Sequence, residues 1–357
     1  MIMQTKLMDL SIPEGIKSLD KILDGYKAYQ TLVAALDLQL FDWLDEKGGA
    51  AREEIIDGLK INGMFARSFL QSLVELGLLT CSAERYTNAA LASSFLVNKS
   101  KHYQGNWLQV SAGQNYKWNN LSEMLTKEKF EIDTFSAGPS GDFIKALSQG
   151  SLRGELQTVT KAIADWEGFS QARHVLDLSG EHGLYAVALC QLNSKLDGIV
   201  FEKPHVVEGT KEFIRRYGLE RQVQVQGGNI CMDKLGTGYD IVLMSHLLYQ
   251  FREDLASIFS KVFTCLNPGG LLVSNHWFCG PGCGAVGGLQ ELEKSLHSFG
   301  HPLCHPEDFQ ALFQRTGFRV VEATEVPSVY GPSKLHLAVK DPCASKIEII
   351  SHNCCQG

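Results

Sequence analysis

The sequence has no excess of positive charge, no long apolar run and no secretory leader. Its formal net charge of −7 disfavours a protein that binds nucleic-acid phosphates. No apolar run is long enough to cross a bilayer, and the N-terminal residues lack the apolar core of a signal peptide. These absences predict a cytoplasmic protein without a nucleic-acid or membrane partner.

The cysteines are numerous but do not form the pattern of a disulfide framework. The chain of 357 residues has 10 of them, and several, such as Cys190 and Cys265, stand in apolar segments where cysteine behaves as a small core residue. Cys354 and Cys355 fall in a polar C-terminal tail.

A loop rich in glycine, from Cys279 to Cys283, has two interpretations. With Cys304 and His305 it offers ligands for a metal ion, but the spacing matches no common zinc site. The glycines fit an ordinary loop equally well, and we favour that interpretation and predict no metal.

The N-terminal part has the apolar periodicity of three helices followed by a hairpin. The helices are predicted over 16–44, 52–59 and 62–76, and the hairpin over 77–87. The third helix is expected to present one apolar face, made of Phe65, Phe69, Leu73 and Leu76. This order of elements is that of a winged helix.

A winged helix has two common uses, DNA binding and dimerisation. The third helix carries Arg67 as its only basic residue, and Glu75 opposes that charge. A recognition helix needs cations or amides directed at bases and phosphates. The charge pattern therefore favours a scaffold or dimerisation role.

Residues 101–166 are predicted to form a mostly helical connector. It holds the aromatic residues Trp107, Tyr116, Trp118 and Phe143. Aromatic side chains at this density line ligand cavities, and they also form ordinary core.

From Arg173 onward, short strands alternate with helical segments. This alternation predicts a parallel sheet with helices on both faces. The predicted strands cover 174–178, 198–201, 222–226, 239–244 and 271–274, followed by a terminal hairpin of 319–326 and 335–340. Ligands of such sheets bind beyond the carboxyl ends of the strands.

The turn that follows the first of these strands, Ser179 to Gly183, is our candidate cofactor site. Gly180 and Gly183 let a ligand approach the backbone, although glycines after a strand also occur for packing reasons. Glu181 would repel a pyrophosphate, and the three spaced glycines of a dinucleotide site are absent. A carboxylate in this turn suits a cofactor that carries positive charge, such as the amino or sulfonium group of S-adenosylmethionine.

Polar residues end three successive predicted strands. Asp177 ends the first, Glu202 ends the second and Asn229 follows the third. A carboxylate at the end of the second strand is well placed to accept both hydroxyls of a ribose. Asn229 would then reach the edge of an adenine, so the set predicts a nucleoside cofactor lying across the sheet.

From about residue 32 to residue 340 the chain resembles the S-adenosylmethionine-dependent small-molecule O-methyltransferases. The resemblance is carried by the order and spacing of the segments 175–183, 201–207, 228–230, 239–249, 266–270 and 317–318. It implies an α/β protein with a Rossmann-like methyltransferase sheet and an N-terminal α-helical winged-helix dimerisation domain. The expected division is a dimerisation domain over 1–100, a connector over 101–166, a catalytic domain over 167–342 and a tail over 343–357.

The resemblance also implies roles for particular residues. Asp177, Gly180 and Gly183 would shape the methionine pocket. Ser179 and Glu181, which belong to the same predicted cofactor turn, stand where the family usually has glycine. Glu202 would bind the ribose. The adenine pocket would be formed by Asn229, Ile230 and Ser245.

The chain departs from the family where the family has its general base. Tyr249 stands at the place of that histidine, and an ordinary tyrosine with a pKa of about 10 is a poor base at neutral pH. Three explanations remain open: another base acts, the acceptor needs no base, or the protein binds the cofactor without transferring methyl. His246 and His276 are the other candidates for the base, although His246 could cap the following helix and His276 could be a core residue.

The expected function is that of an S-adenosylmethionine-dependent methyltransferase that acts on a small molecule as a homodimer. Oxygen is the favoured acceptor atom, followed by sulfur or activated carbon, which need no base. The alternative of another class is a cofactor-sensing transcription regulator. We expect the acceptor pocket to be lined by Tyr116, Trp118, His246, Tyr249, His276 and His297.

Overall fold

The computed structural model describes residues 14–114, 116–126, 141–280, 287–303 and 306–342. The chain divides into two compact units, 1–119 and 120–357. The predicted connector is therefore shared between the two units. The predicted tail, with Cys354 and Cys355, lies outside the described residues.

The first unit consists of short helices and a small antiparallel sheet in the order β1-β3-β2. Its elements are α1 (Ile16–Asp37), α2 (Leu40–Lys47), β1 (Ala50–Ala51), α3 (Arg52–Leu59), α4 (Gly63–Glu75), β2 (Leu79–Ser82), β3 (Arg85–Asn88), α5 (Ala90–Phe95) and α6 (Gly105–Ala112). One apolar core holds these elements together.

The helix predicted over 16–44 is two helices, because the chain turns at Gln39. This residue has a φ of 55°, in the left-handed region, and it separates α1 from α2. Leu36, Leu40 and Leu44 are nevertheless all buried in the same core. The apolar spacing continues across the break because both helices face that core.

Helix α4 begins at the predicted place, but it buries a different face from the expected one. The side chain of Asn62 caps the helix by accepting a hydrogen bond from the backbone N–H of Met64 at 3.0 Å. The predicted spacing puts Phe65, Phe69, Leu73 and Leu76 on one side of the helix, but Phe65 is 63% exposed and Leu76 is 41% exposed. The buried residues are Ala66, Leu70 and Leu73, so the side that meets the core is rotated from the predicted apolar side.

The predicted hairpin is confirmed. Strands β2 and β3 pair antiparallel, with Ser82 opposite Arg85. The two residues between them, Ala83 and Glu84, have φ values of 47° and 62°. Two left-handed residues make the tight turn that suits the twist of a two-residue hairpin.

The second unit is built on a seven-stranded sheet with helices between the strands. Its elements are α7 (Leu121–Thr126), α8 (Gly141–Ser151), α9 (Glu155–Asp165), β4 (His174–Leu178), α10 (Leu184–Leu192), β5 (Asp197–Glu202), α11 (Val207–Arg216), β6 (Val223–Gly227), β7 (Tyr239–Ser245), α12 (Leu255–Cys265), β8 (Leu266–His276), α13 (Gly288–His297), α14 (Pro306–Arg315), β9 (Phe318–Val326) and β10 (Ser333–Lys340).

The strands lie in the order β6-β5-β4-β7-β8-β10-β9. The five strands from β6 to β8 pair in parallel, and β10 pairs antiparallel with both β8 and β9. All five predicted parallel strands and the terminal hairpin are confirmed. Since β4 is central, its Val175, Leu176 and Leu178 are fully buried.

The parallel pairing places the carboxyl ends of β4, β5, β6 and β7 at one edge of the sheet. Asp177 therefore lies beside the strand that ends in Glu202, with Asp177 paired to Val200 and Leu178 to Phe201. Within the part of the chain that the structure describes, no helix is long and apolar enough to cross a membrane.

Candidate active site

The turn between β4 and α10 has an unusual backbone. Ser179, Glu181 and Gly183 have φ values of 62°, 42° and 71°. Left-handed residues other than glycine are sparsely populated, and they occur most often at functional sites. Gly183 also meets apolar neighbours, since a Cβ atom there would lie 3.3 Å from Thr210 and 3.4 Å from Ile214. The turn thus serves both packing and the predicted site.

Gly180 leaves room for the carboxyl group of Asp177. A Cβ atom at Gly180 would lie 2.5 Å from Cγ and Oδ2 of Asp177. Asp177 is 1% exposed, and its Oδ2 has no hydrogen-bond partner among the described residues. Burial and the charge of Glu202 raise the pKa of Asp177 to about 7. A buried oxygen without a partner is costly, and a cationic donor would satisfy it.

Glu202 is held by three donors from two segments. Its Oε1 accepts hydrogen bonds from the Ser179 hydroxyl at 3.1 Å and from the Glu181 N–H at 3.2 Å. Its Oε2 accepts from the Lys203 N–H at 2.6 Å. Burial raises the pKa of Glu202, and these hydrogen bonds oppose that effect. The turn therefore orients the carboxylate that was predicted to bind ribose.

Glu181 adds a third acidic group to the site. Burial, followed by the charge of Glu202, raises its pKa to about 8. Asp177, Glu181 and Glu202 therefore repel one another in a poorly solvated place. These residues fit S-adenosylmethionine, because its sulfonium and amino groups would supply the missing positive charge.

A cleft beside this turn brings together four of the predicted cofactor residues. It is lined by Ser179, Phe201, Glu202, Lys203, Gly228, Asn229, Ile230, Cys231, Leu247, Gln250 and Phe251. Polar atoms of Glu202 and apolar side chains such as Phe201 and Phe251 give it the mixed lining that a nucleoside needs.

The loop that carries Asn229 and Ile230 is fixed by a lysine. Lys261 Nζ donates to the carbonyl oxygens of Ile230 at 2.6 Å, Cys231 at 2.7 Å and Asp233 at 3.1 Å. Asn229 Oδ1 accepts from the Cys231 N–H at 2.9 Å. The side chain of Asn229 is therefore partly used to shape its own loop.

Sequence reasoning missed the apolar part of this cleft. Phe201 directly precedes Glu202 on β5, and Leu247 and Phe251 follow β7. Their positions, at the end of one strand and just after another, were a signal that the sequence carried. Ser245, which was predicted for the adenine pocket, does not line the cleft. Its hydroxyl instead accepts from Asn275 Nδ2 at 3.2 Å.

Two of the three candidate catalytic residues form a hydrogen-bonded pair. His246 Nδ1 lies 2.8 Å from the hydroxyl of Tyr249. The other ring nitrogen, Nε2, lies 2.8 Å from Oε1 of Glu155 on α9. Tyr249 is 1% exposed, and burial raises its pKa well above the ordinary value. His246 does not cap the following helical turn.

His276 has the partners of a core histidine. Its Nε2 accepts hydrogen bonds from the backbone N–H groups of Leu247 and Leu248 at 3.2 and 3.1 Å. Its Nδ1 lies 3.0 Å from the hydroxyl of Ser274. Burial lowers its pKa well below the ordinary value. Both ring nitrogens are thus engaged within the fold.

The predicted acceptor residues fall in both units. His297, on α13, has its Nε2 3.1 Å from the carboxyl group of Glu293, and its ring centroid lies 4.3 Å from that of Tyr330, with the two rings tilted by 36°. Tyr116 and Trp118 belong to the first unit. Their role in an acceptor pocket stays a prediction.

The alternative of a metal site rested on the loop that begins at Cys279. Cys283, Cys304 and His305 lie outside the described residues. The thiol of Cys279 approaches the carbonyl oxygen of Pro302 at 3.8 Å. Over the described ranges, no three His, Cys, Asp or Glu side chains are grouped so that they could hold a metal ion.

The strand order and the acidic cleft at the carboxyl ends of the strands define a Rossmann-like methyltransferase. Residues 20–98 match the O-methyltransferase dimerisation domain, and residues 114–319 match the O-methyltransferase domain. The second match spans more than half of the chain, which therefore belongs to the O-methyltransferase family. The protein is an S-adenosylmethionine-dependent methyltransferase of small molecules, as the resemblance implied.

Known proteins with similar chains are methyltransferases as well. N,N-dimethyltransferase OxyT of Streptomyces rimosus is 27% identical over 88% of this chain and 94% of its own. The 3-hydroxy-5-methyl-1-naphthoate 3-O-methyltransferase of Streptomyces sahachiroi is 27% identical over 66% and 69%. Human N-acetylserotonin methyltransferase, solved with S-adenosylmethionine, superposes with a TM-score of 0.74 at 20% identity, covering 93% of this chain and 99% of that one. The last likeness shows the fold alone.

The substitution Glu202→Gln is expected to weaken binding of S-adenosylhomocysteine by roughly 10- to 100-fold, since hydrogen bonds to a charged group contribute about 1.5–3 kcal/mol. Isothermal titration calorimetry measures this change. Glu208→Gln on α11 is the control, because that carboxylate is exposed and pairs only with Lys211. Equal affinity of Glu202→Gln and the native chain would remove Glu202 from the cofactor site.

Asp177→Asn is expected to make the free energy of unfolding less dependent on pH. Asp177 has a pKa of about 7 in the folded chain against an ordinary 3.8. The folded chain thus keeps a proton that the unfolded chain loses, so the native free energy of unfolding falls as pH rises through this window. Asparagine does not titrate. The free energy of unfolding of the variant, relative to that of the native chain, is therefore expected to rise by roughly 1–3 kcal/mol between pH 5 and pH 8.

Urea unfolding without cofactor at the two pH values measures this difference. Asp197→Asn is the control, since that carboxylate is exposed. If the variant and the native chain differ in free energy of unfolding by the same amount at both pH values, Asp177 is ionised in the folded chain at neutral pH.

Proposed function

We propose that this methyltransferase transfers methyl from S-adenosylmethionine to a hydroxyl group of a small molecule. The observation that carries the proposal is the pair Asp177 and Glu202, buried at the ends of adjacent strands beside a strained turn. When bound, S-adenosylmethionine supplies a methyl group made electrophilic by its positive sulfur.

Different residues would bind different parts of S-adenosylmethionine. Glu202 accepts hydrogen bonds from the ribose, and Asn229 and Ile230 contact the adenine. Asp177 and Glu181 face the positive end of the cofactor, in the turn formed with Ser179, Gly180 and Gly183. Ser245 orients Asn275 next to this region, rather than lining the adenine cleft.

Oxygen is the first expectation for the acceptor atom. The family is named for transfer to oxygen, and the Streptomyces sahachiroi relative is named for a hydroxyl on an aromatic ring. OxyT is named for transfer to nitrogen, which also carries a proton to lose. A thioether or carbon acceptor is less favoured on these grounds.

We further propose that the first unit has the winged-helix arrangement and forms a homodimer through α1. Five apolar residues of α1 lie on one side of the helix and are between 46% and 73% exposed. They are Ile16, Leu19, Ile22, Leu23 and Tyr26. An exposed apolar stripe of this kind is typical of a surface that another chain covers.

Labelled methyl transfer tests the enzymatic proposal. The protein is incubated with radiolabelled S-adenosylmethionine and a small-molecule extract, and the products are separated by chromatography. We expect label in a hydroxyl-derived methyl ether, and no label with Glu202→Gln at low cofactor concentration. Cofactor binding without any labelled product, together with salt-dependent retention of genomic DNA on filters, would favour a regulator.

The substitution Leu23→Glu is expected to convert a dimer into a monomer, because it places a charge in the apolar stripe. Sedimentation equilibrium measures the mass, and Asp24→Glu is the control for a charged residue already exposed on α1. A native chain that sediments as a monomer at micromolar concentration would contradict the proposed dimer.

A further inference from the structure

Helix α9 carries a buried carboxylate outside the cofactor cleft. Glu155 begins α9, is 6% exposed, and forms no ion pair with a lysine or arginine among the described residues. Its Oε1 accepts hydrogen bonds from Asn275 Nδ2 at 2.8 Å and from the Tyr185 hydroxyl at 3.4 Å. The imidazole of His246 is its nearest partner that can carry a positive charge, at 2.8 Å.

Glu155 is itself fixed from the sheet. Asn275, on β8, donates to Glu155 through Nδ2, and its Oδ1 accepts from the Ser333 hydroxyl at 2.7 Å. Asn275 and Ser333 are both buried. The carboxylate therefore lies in one orientation, directed at the ring of His246.

His246 has a strained backbone at the end of β7. Its φ is 52°, in the left-handed region, and its N–H donates to the Asn275 carbonyl oxygen at 2.9 Å. Its ring lies 4.2 Å from that of Trp277. A non-glycine residue in this conformation persists only when its surroundings hold it, and such residues cluster at functional sites.

The hydrogen bonds indicate where the protons lie among Tyr249, His246 and Glu155. The backbone N–H of Trp277 donates to the Tyr249 hydroxyl oxygen at 2.7 Å, so the phenol proton can point at His246 Nδ1. Because Nδ1 then accepts, the ring proton of neutral His246 is on Nε2, where it faces the Glu155 carboxylate. A carboxylate that fixes a histidine tautomer also stabilises the imidazolium formed when Nδ1 gains a proton.

We propose that Glu155 is a positioning residue that holds His246 ready to receive, through the hydroxyl of Tyr249, the proton that the methyl acceptor loses. The substrate class is accordingly an acceptor with a proton to lose, a hydroxyl or an N–H group. This inference rests on the proposed methyltransferase function.

The step balances without an oxidant or a reductant. The bond from the acceptor oxygen to the methyl carbon forms, the bond from that carbon to sulfur breaks, and its electron pair stays on sulfur. The acceptor proton passes to Tyr249 Oη as the phenol proton passes to His246 Nδ1. Tyrosine ends neutral, and the positive charge lies on an imidazolium beside Glu155.

This route explains how a buried tyrosine can stand at the place of a base. Burial raises the pKa of Tyr249 well above its ordinary value, which disfavours a phenolate at neutral pH. A relay needs no phenolate, because the phenol gives one proton as it takes another. His276 is unsuited to the same task, since backbone N–H groups occupy its Nε2.

The tautomer of His246 is the first test and needs no acceptor. Long-range proton–nitrogen correlation spectra at pH 8 report the tautomer in the full chain with S-adenosylhomocysteine, and His246→Gln assigns the signal. We expect the Nε2–H form in the native chain and in Glu155→Gln, which keeps an acceptor oxygen. Glu155→Leu should give a mixture. An Nδ1–H form in the native chain, or no change in Glu155→Leu, overturns the proposal.

The second test separates charge from orientation. With the acceptor found by methyl labelling, Glu155→Gln and Tyr249→Phe are expected to lower kcat by roughly 100-fold, the usual contribution of general base catalysis, with KM nearly unchanged. Glu167→Gln, an exposed carboxylate just beyond α9, is the control and should keep native turnover.

The outcomes distinguish this inference from the proposed function. Calorimetry should give the same affinity for S-adenosylhomocysteine in all these chains, because none of the substituted groups lines the cofactor cleft. A native kcat in Glu155→Gln overturns the relay while the proposed transfer to a hydroxyl group stands. Label on sulfur or carbon of the product overturns both proposals and leaves the methyltransferase activity alone. Loss of cofactor binding in the native chain would remove both.

Discussion

Several carboxyl groups are buried close together at the carboxyl ends of the parallel strands, and the properties of the site follow from their burial and mutual repulsion. Asp177 and Glu202 end adjacent strands, and Glu181 follows in the turn between β4 and α10. Burial and mutual repulsion raise the pKa of Asp177 to about 7 and that of Glu181 to about 8. Such a site favours a ligand that carries positive charge, which is why an adenosyl sulfonium fits and a diphosphate does not.

A second buried acidic group serves a different purpose. Glu155 lies on α9, outside the acidic turn, and its partners are His246, Asn275 and Tyr185. The carboxyl groups of the acidic turn would receive their positive partner from a ligand, whereas Glu155 already lies beside the imidazole of His246. Methyl transfer from a sulfonium to a hydroxyl moves positive charge from sulfur to the group that takes the proton. In the proposed relay, the acidic turn lies where that movement begins and Glu155 lies where it ends.

Patterns within short stretches of the sequence predicted the strands and the hairpin turn, because these depend mainly on neighbouring residues. The apolar runs of β4 and β7 identified buried strands, and the two residues between Ser82 and Arg85 identified a hairpin turn. The predicted apolar side of α4 is not the side that is buried, because Phe65 is exposed and Ala66 is buried. Periodicity alone does not say which side of a helix meets the core when apolar residues lie on more than one side. Only packing against the neighbouring helices resolves that choice.

By itself the sequence determined the order of the strands along the chain and predicted residues at the strand ends that line one cleft, since a strand end and the turn after it are adjacent in sequence. Tertiary structure alone decided the partners of His246 and the place of Glu155. Glu155 and His246 are 91 positions apart, and Glu155 and Asn275 are 120 apart. A glutamate at the start of an amphipathic helix has the pattern of an exposed residue. Its burial depends on contacts that no local pattern encodes.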